Sequence, residues 1–281
     1  MRFLYASFFM FIPTILISAI RLQIISANKI KISLSESLKL VLAGSSLNMV
    51  LPSKMGDIAK GYFIAEKSNS KMSEALSLVV YEKTCDMLAL LFYCVIGLIF
   101  YNNNNDMVFI VISTIIISGF IFGLMMISSY RFYTLFFKVS LTLAPSFIKK
   151  KITIFQTSWV EMCAYISQNK VLKFKIGAIS VLLWFIHLLQ IWLFIRMINN
   201  YVPLITHMAI VPLAIFTGLL PFTFAGIGVR DAALIYFFKG YLSSSVSATL
   251  GILCTLRYIV PAILGLPFLG KYLSKIKKMK K

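Results

Sequence analysis

The chain has 281 residues, 59% hydrophobic and only 13% charged, with 28 lysines and arginines against nine acids for a net charge of +19; soluble domains are about a quarter charged. The apolar excess falls in blocks close to the ~20 residues that cross a bilayer's hydrocarbon core, which excludes an ordinary soluble enzyme. The basic residues flank those blocks and form no single soluble patch, which argues against nucleic acid as a partner.

Taken in order, the first block is Phe3–Ser26, too long for the apolar core of a signal peptide and followed by no small-residue cleavage site. A lysine-rich stretch, Ala27–Met72, follows. It contains a shorter apolar run, Leu38–Pro52, that ends in Asn48-Met-Val-Leu-Pro-Ser-Lys-Met-Gly56-Asp57. Proline ends a helix at the preceding residue and glycine permits the turn, so this reads as two half-helices with a break between them. The next spans are Ala75–Phe100, which carries Glu82, Lys83 and Asp86, and Met107–Ser129, which carries no charge.

Between Arg131 and Lys173 the pattern turns amphipathic. Phe132, Leu135, Phe136, Val139 and Leu143 recur at helical spacing, and after Pro145 so do Ile148, Ile152, Phe155, Trp159, Met162, Cys163 and Ile166. Two helices lying on a membrane surface fit this pattern, with Lys149-Lys150-Lys151 at the bend. A charged linker that only obeys the positive-inside rule is the simpler reading, and the two are compatible. The fourth span is Phe174–Asn199. A second short run, Ile205–Pro221, ends in Leu220-Pro-Phe-Thr-Phe-Ala-Gly226-Ile-Gly228-Val-Arg230-Asp231, again Leu-Pro, a glycine turn and an acid opening a helix. The last span, Val246–Leu269, holds Arg257 near its middle and leads into a basic tail.

The charge distribution predicts a topology. Ala27–Met72, Tyr130–Lys175 and the tail from Lys271 hold seven, eight and six lysines and arginines, 21 of the 28. With five crossings all three fall on one side, which the positive-inside rule makes the cytoplasm. The C-terminus is then inside and the N-terminus outside, as expected either for an N-out first helix or for a chain that lacks an upstream helix. Three crossings separate the two breaks, so they enter from opposite faces. The distance from Asp57 to Glu82 also matches that from Asp231 to Arg257 within one residue. The fold expected is all-α: a polytopic bundle of five full spans plus two broken or re-entrant helix pairs related as an inverted repeat. One integral membrane domain would divide into a first repeat at about 35–129, the surface linker 131–173, a second repeat at about 174–270 and the tail 271–281.

Paired proline- and glycine-interrupted segments in two halves point to a transporter's binding site; short kinked hairpins that merely pack the bundle are the alternative. Intramembrane charges are functional candidates. Glu82 and Asp86 share a helix face, Lys83 can neutralise one of them, and Arg257 requires an anionic partner, either a carboxylate such as Asp86 or a ligand phosphate. Half-helix N-termini favour anions, and Lys54 and Lys60 lie near the first break as Arg230 lies near the second. Together with Lys83 and Arg257 they would form a cationic pocket suited to a phosphate-bearing headgroup. A register-fixing ion-pair network explains the same residues without a ligand. No metal site, cofactor motif or catalytic motif stands out. His187 and His207 lack ligand spacing, the four cysteines form no C-x-x-C pair and read as packing residues, and there is no nucleophile elbow or P-loop.

On these residues the chain resembles the transmembrane region of lysylphosphatidylglycerol synthases, the flippase-like or UPF0104 integral membrane family. The matching elements are Asn48-x-x-Leu-Pro-x-x-x-Gly56-Asp57-x-x-Lys60, Glu82-Lys83-x-x-Asp86, Gly226-x-Gly228-Val-Arg230-Asp231 and Arg257. Lys54, Lys60 and Lys83 stand where the family often has arginine, and lysine cannot reproduce a bidentate guanidinium contact to phosphate. The resemblance implies the flippase-like half of the bifunctional members without their soluble synthase domain, hence no enzyme activity, with a membrane-embedded lipid-modifying enzyme as the minor alternative. It further implies membrane lipids as ligands and a place in envelope biogenesis. The implied function is handling of an anionic phospholipid or polyprenyl-phosphate-linked lipid in the cytoplasmic membrane. The alternative is a non-transporting partner or anchor for an envelope glycosyltransferase or lipid synthase.

Overall fold

The computed structural model describes residues 2–26, 30–51, 56–100, 107–219 and 228–279. Helices account for nearly all of them, in the order α1 (Arg2–Phe9), α2 (Phe11–Ser26), α3 (Leu34–Val50), α4 (Gly56–Ser68), α5 (Met72–Phe100), α6 (Met107–Ser128), α7 (Tyr130–Leu143), α8 (Ser146–Gln168), α9 (Lys170–Met197), α10 (Leu204–Thr217), α11 (Val229–Phe237) and α12 (Ser244–Met279). A backbone in hydrocarbon must satisfy every N–H and C=O internally, and helices do so within one segment.

Five stretches are long and apolar enough to cross: Tyr5–Ser26, Met72–Phe100, Phe109–Ser128, Lys170–Met197 and Ser244–Leu273. Each coincides with a sequence-derived span within a few residues. The chain is an integral, multi-pass helical membrane protein. α6 is the outlying span, exposing Ile110, Val111, Ile115, Ile117, Ile121 and Phe122, the surface a lipid-facing helix presents.

Between α2 and α5 the chain makes a re-entrant pair. α3 starts beside the lysine-rich loop, capped by the Ser33 hydroxyl, which accepts from the Glu36 N–H at 3.2 Å. α4 returns alongside it. Gly56 makes this possible: a Cβ there would lie 2.6 Å from the Asn48 backbone nitrogen and 2.7 Å from the Gly44 carbonyl. α10 and α11 form the corresponding pair on the other side. The reciprocal packing follows the repeat, with α3 lying chiefly against α12 and α10 against α5. Glycines set both approaches. Gly265 of α12 sits on the Leu42 carbonyl and Gly97 of α5 on the Ala209 carbonyl, each too close for any side chain. The Ser46 hydroxyl donates to the Ala262 carbonyl at 2.6 Å and ties the first of these seams.

Two apolar clusters divide the interior. One gathers Leu22, Leu40, Phe63, Leu78, Trp159 and Tyr272 toward the lysine-rich face. The other gathers Leu90, Leu188, Ile210, Phe238 and Leu250 toward the opposite face. The long helices serve both: α5 contributes Leu78–Cys85 to the first and Ala89–Cys94 to the second. Glu82, Lys83 and Asp86 therefore sit at the level where one cluster gives way to the other.

The surface linker is helical as expected, and α7 keeps its apolar stripe outward, as a surface helix does. It buries Tyr133 and Phe137, whereas Leu135, Phe136, Val139 and Leu143 are exposed. The reason is the solvent: an interfacial helix gains by turning its apolar stripe to lipid, and only the remaining face is left for protein. α8 departs from that picture: Phe155, Trp159, Met162, Cys163 and Ile166 lie in or against the first cluster, because α5 packs beside it.

Candidate functional site

Within the span α5, Glu82 and Asp86 are one helical turn apart and point the same way. Arg21, in the second half of α2, reaches both. Its Nη2 lies 3.3 Å from Glu82 Oε1, and its Nη1 lies 2.5 Å from Asp86 Oδ1 and 3.0 Å from the Ser180 hydroxyl of α9. From α4, Lys60 Nζ approaches Glu82 Oε2 at 2.5 Å and Asp57 Oδ1 at 3.8 Å. Lys83 Nζ bridges Asp57 at 3.1 Å and Asp86 at 3.2 Å. The Asn48 amide donates to Asp57 at 3.3 Å and links the network to the end of α3. Three cations and three carboxylates thus alternate through one connected cluster. Arg21, Lys60 and Glu82 are almost fully buried; Lys83, at 41% side-chain exposure, is the open member. Each member would be costly alone, because a buried charge is tolerated only with its counter-charge and hydrogen bonds in place.

Above this cluster lies a cavity of about 210 Å³, enclosed by α2, α3, α4, α5, α9 and α12. Besides the charged cluster its wall includes Ser18, Ser45, Trp184, Gln190, Tyr258 and Arg257. Arg257 differs from the other cations. Among the described residues no carboxylate lies within ion-pairing distance of it. Its Nη2 donates to the Tyr258 hydroxyl at 2.6 Å, its Nη1 makes a long contact of 3.4 Å to the His187 carbonyl, and its Nε has no partner. The guanidinium also lies over the Tyr258 ring, 4.7 Å from its centre. The expected pairing of Arg257 with Asp86 is therefore absent, because Arg21 already occupies that carboxylate.

The second break is built differently. Arg230 turns to its own neighbour and to α12, with Nε 2.9 Å and Nη2 2.6 Å from Asp231 Oδ1. The same Nη2 lies 2.8 Å from the Gly251 carbonyl and 2.9 Å from the Thr255 hydroxyl. Asp231 also accepts from the Gly228 N–H at 3.1 Å, closing the first turn of α11. A Cβ at Gly251 would meet Asp231 at 2.5 Å, so this junction is filled. Of the sequence-derived set, Asn48, Asp57, Lys60, Glu82, Lys83, Asp86 and Arg257 line one cavity, and Gly56 shapes it. Gly228, Arg230 and Asp231 do not reach the cavity. Lys54 and Gly226 lie outside the described residues.

Arg21 joins the cluster although the sequence reading gave it no role. The signal was present: it is the one charge inside the first apolar block. No cluster of three or more metal-ligating side chains occurs among the described residues. His207 sits in the apolar core with its Nε2 2.8 Å from the Leu188 carbonyl, as a packing residue does.

Fold and site together define a polytopic helical membrane protein with a charged cavity at a re-entrant helix pair. The family model of the lysylphosphatidylglycerol synthase TM region matches residues 1–265, and the chain belongs to that family. It is also similar to a UPF0104 membrane protein of Methanocaldococcus jannaschii, 25% identical over 253 residues that cover 80% of this chain and 71% of the relative. No solved structure matches the chain.

Proposed function

We propose that this protein is a flippase-like handler of a phosphate-bearing membrane lipid in the cytoplasmic membrane, with its lysine-rich loops and C-terminus on the cytoplasmic side. The headgroup of an anionic phospholipid or of a polyprenyl-phosphate-linked lipid enters the cavity, and its phosphate meets Arg257. One observation carries this reading: Asp57, Glu82 and Asp86 balance Arg21, Lys60 and Lys83, and Arg257 faces the same cavity with no carboxylate. A guanidinium in a low-dielectric site is costly without a counter-ion, and a phosphate offers acceptors matched to its donors. The cavity volume suits a headgroup. Pockets that enclose whole drug-sized ligands run from about 300 Å³ upward, so acyl or prenyl chains would remain among the exposed apolar side chains outside.

The chain's part is binding and passage, without catalysis. Purified protein in liposomes provides the test. Labelled phosphatidylglycerol or polyprenyl phosphate should exchange between leaflets faster than in empty vesicles, and Arg257→Gln should remove the acceleration. No acceleration by folded protein would reject translocation and favour the anchor reading, in which an envelope lipid- or polysaccharide-synthesising enzyme is the partner. In that case crosslinking should recover a stoichiometric partner, and Arg257→Gln should leave its recovery unchanged.

A further inference from the structure

Among the described residues a second arginine also has no carboxylate beside it, at the end of the bundle away from the lysine-rich loops. Arg196 occupies the last turn of α9. That helix starts among Lys170, Lys173 and Lys175 and ends at the lysine-poor side, where the segment Asn200–Ser245 carries only Arg230 and Lys239 as cations. A cation there runs against the topological bias and calls for a local cause.

Helix capping is not that cause. The final carbonyls of α9 are met by the turn that follows: Ile198 N–H donates to the Phe194 carbonyl at 3.1 Å, Asn199 N–H to Arg196 at 3.3 Å and Asn200 N–H to Ile195 at 3.1 Å. Nor is an ion pair, since among the described residues no carboxylate lies within reach of Arg196. Three aromatic rings hold the guanidinium instead. Its carbon lies 5.3 Å from the centre of the Phe3 ring, 5.8 Å from Trp192 and 5.1 Å from Tyr201. Trp192 is itself fixed, its Nε1–H donating to the Val202 carbonyl at 3.0 Å. Cation–π contact engages the face of a guanidinium and leaves its N–H edge available. The Nε is buried and has no hydrogen-bond partner.

We propose that Arg196 and its cage of Phe3, Trp192 and Tyr201 form a second phosphate site, which takes the headgroup phosphate of a lipid in the leaflet opposite the lysine-rich loops. The cage removes the conformational cost of ordering the arginine, and its rings lie at the depth where aromatic side chains meet headgroups. The planar fork suits a phosphate oxygen pair better than an ammonium would. This site is separate from the Arg257 cavity and does not depend on the translocase reading.

Two tryptophans allow the sites to be read apart, because Trp184 lines the cavity and Trp192 belongs to the cage. The full chain carrying W159F and W184F, reconstituted in phosphatidylcholine vesicles, reports from Trp192 alone. Brominated phosphatidylglycerol and brominated diacylglycerol are then compared as quenchers. Phosphatidylglycerol should be preferred about tenfold, the scale of one or two charge-assisted hydrogen bonds. Arg196→Gln should bring the ratio near one, and Arg196→Lys should leave an intermediate preference. Arg257→Gln should leave the Trp192 ratio unchanged. Equal quenching by the two lipids, or a preference that survives Arg196→Gln, would overturn the proposal. Loss of the preference when inorganic phosphate is added outside would assign the site to the free anion and reject the lipid. Circular dichroism of each variant confirms that a lost preference is not a lost fold.

Discussion

The two helix breaks have nearly the same sequence logic and opposite outcomes. At the first, Asp57, Lys60 and Asn48 turn toward a cavity and share their charges with α2 and α5 across the bundle. At the second, Arg230 and Asp231 bond each other and a carbonyl of α12, and the space between them is filled. A break is thus only a supply of unsatisfied backbone and charge. Whether it becomes a site depends on what the neighbouring helices bring. α2 and α5 bring two cations and two carboxylates to the first break, while α12 brings a carbonyl and a hydroxyl to the second.

Several changes should separate the two. The largest effect is expected at Arg21. Arg21→Met strands Glu82 and Asp86 without their shared cation, and breaking a buried network of this kind costs about 3–5 kcal/mol. Arg230→Met interrupts a more exposed bond set and should cost about 1–3 kcal/mol. Thermal unfolding in detergent should rank the two in that order; equal losses would mean that the first network is no more buried in energy than the second junction.

Next come the glycines that shape each break. Gly56→Ala drives a methyl into the Asn48 nitrogen and the Gly44 carbonyl, backbone that cannot yield cheaply, and should cost about 1–3 kcal/mol. Gly228→Ala has open space around its Cβ but a φ of 92°, so only backbone strain opposes it, about 1–2 kcal/mol. The same unfolding assay checks this, with Gly56→Ala also expected to reduce ligand binding. The smallest effect on stability belongs to Arg257. Arg257→Gln removes a cation that no carboxylate among the described residues balances, so the unfolding temperature should stay the same or rise. A clear fall would show that the side chain serves structure first.

Most of the fold could be read from the sequence because bilayers impose a length and loops carry a charge bias. The five spans and the surface linker follow from those two constraints; the breaks were read from proline and glycine, and Pro52 and Pro221 lie outside the described residues. The site was legible in its types and not in its pairings. Glu82, Asp86 and Arg257 stand out as charges within apolar runs, and Asp57 and Lys60 by their place after a break. That Arg21 would take Asp86, leaving Arg257 alone, depends on how α2 lies against α5, which no local pattern encodes. Arg230 was expected in the cavity for the same reason that Lys60 was; its turn toward Gly251 and Thr255 depends on a close approach between α11 and α12. The stripes of α7 and α8 were both read as those of surface helices; α7 keeps that place, whereas α8 turns its stripe to protein because α5 packs beside it.

The central claim is that Arg257, and not the arginine of the second break, awaits an anion. Binding of short-chain phosphatidylglycerol to the purified full chain tests it directly, with Arg257→Gln and Arg230→Gln measured alongside. Loss of a charge-assisted contact to phosphate should weaken binding about tenfold or more in Arg257→Gln. Arg230→Gln should stay within about twofold of the parent, as the contacts it loses lie outside the cavity. Undiminished binding in Arg257→Gln, or a larger loss in Arg230→Gln, would contradict the account.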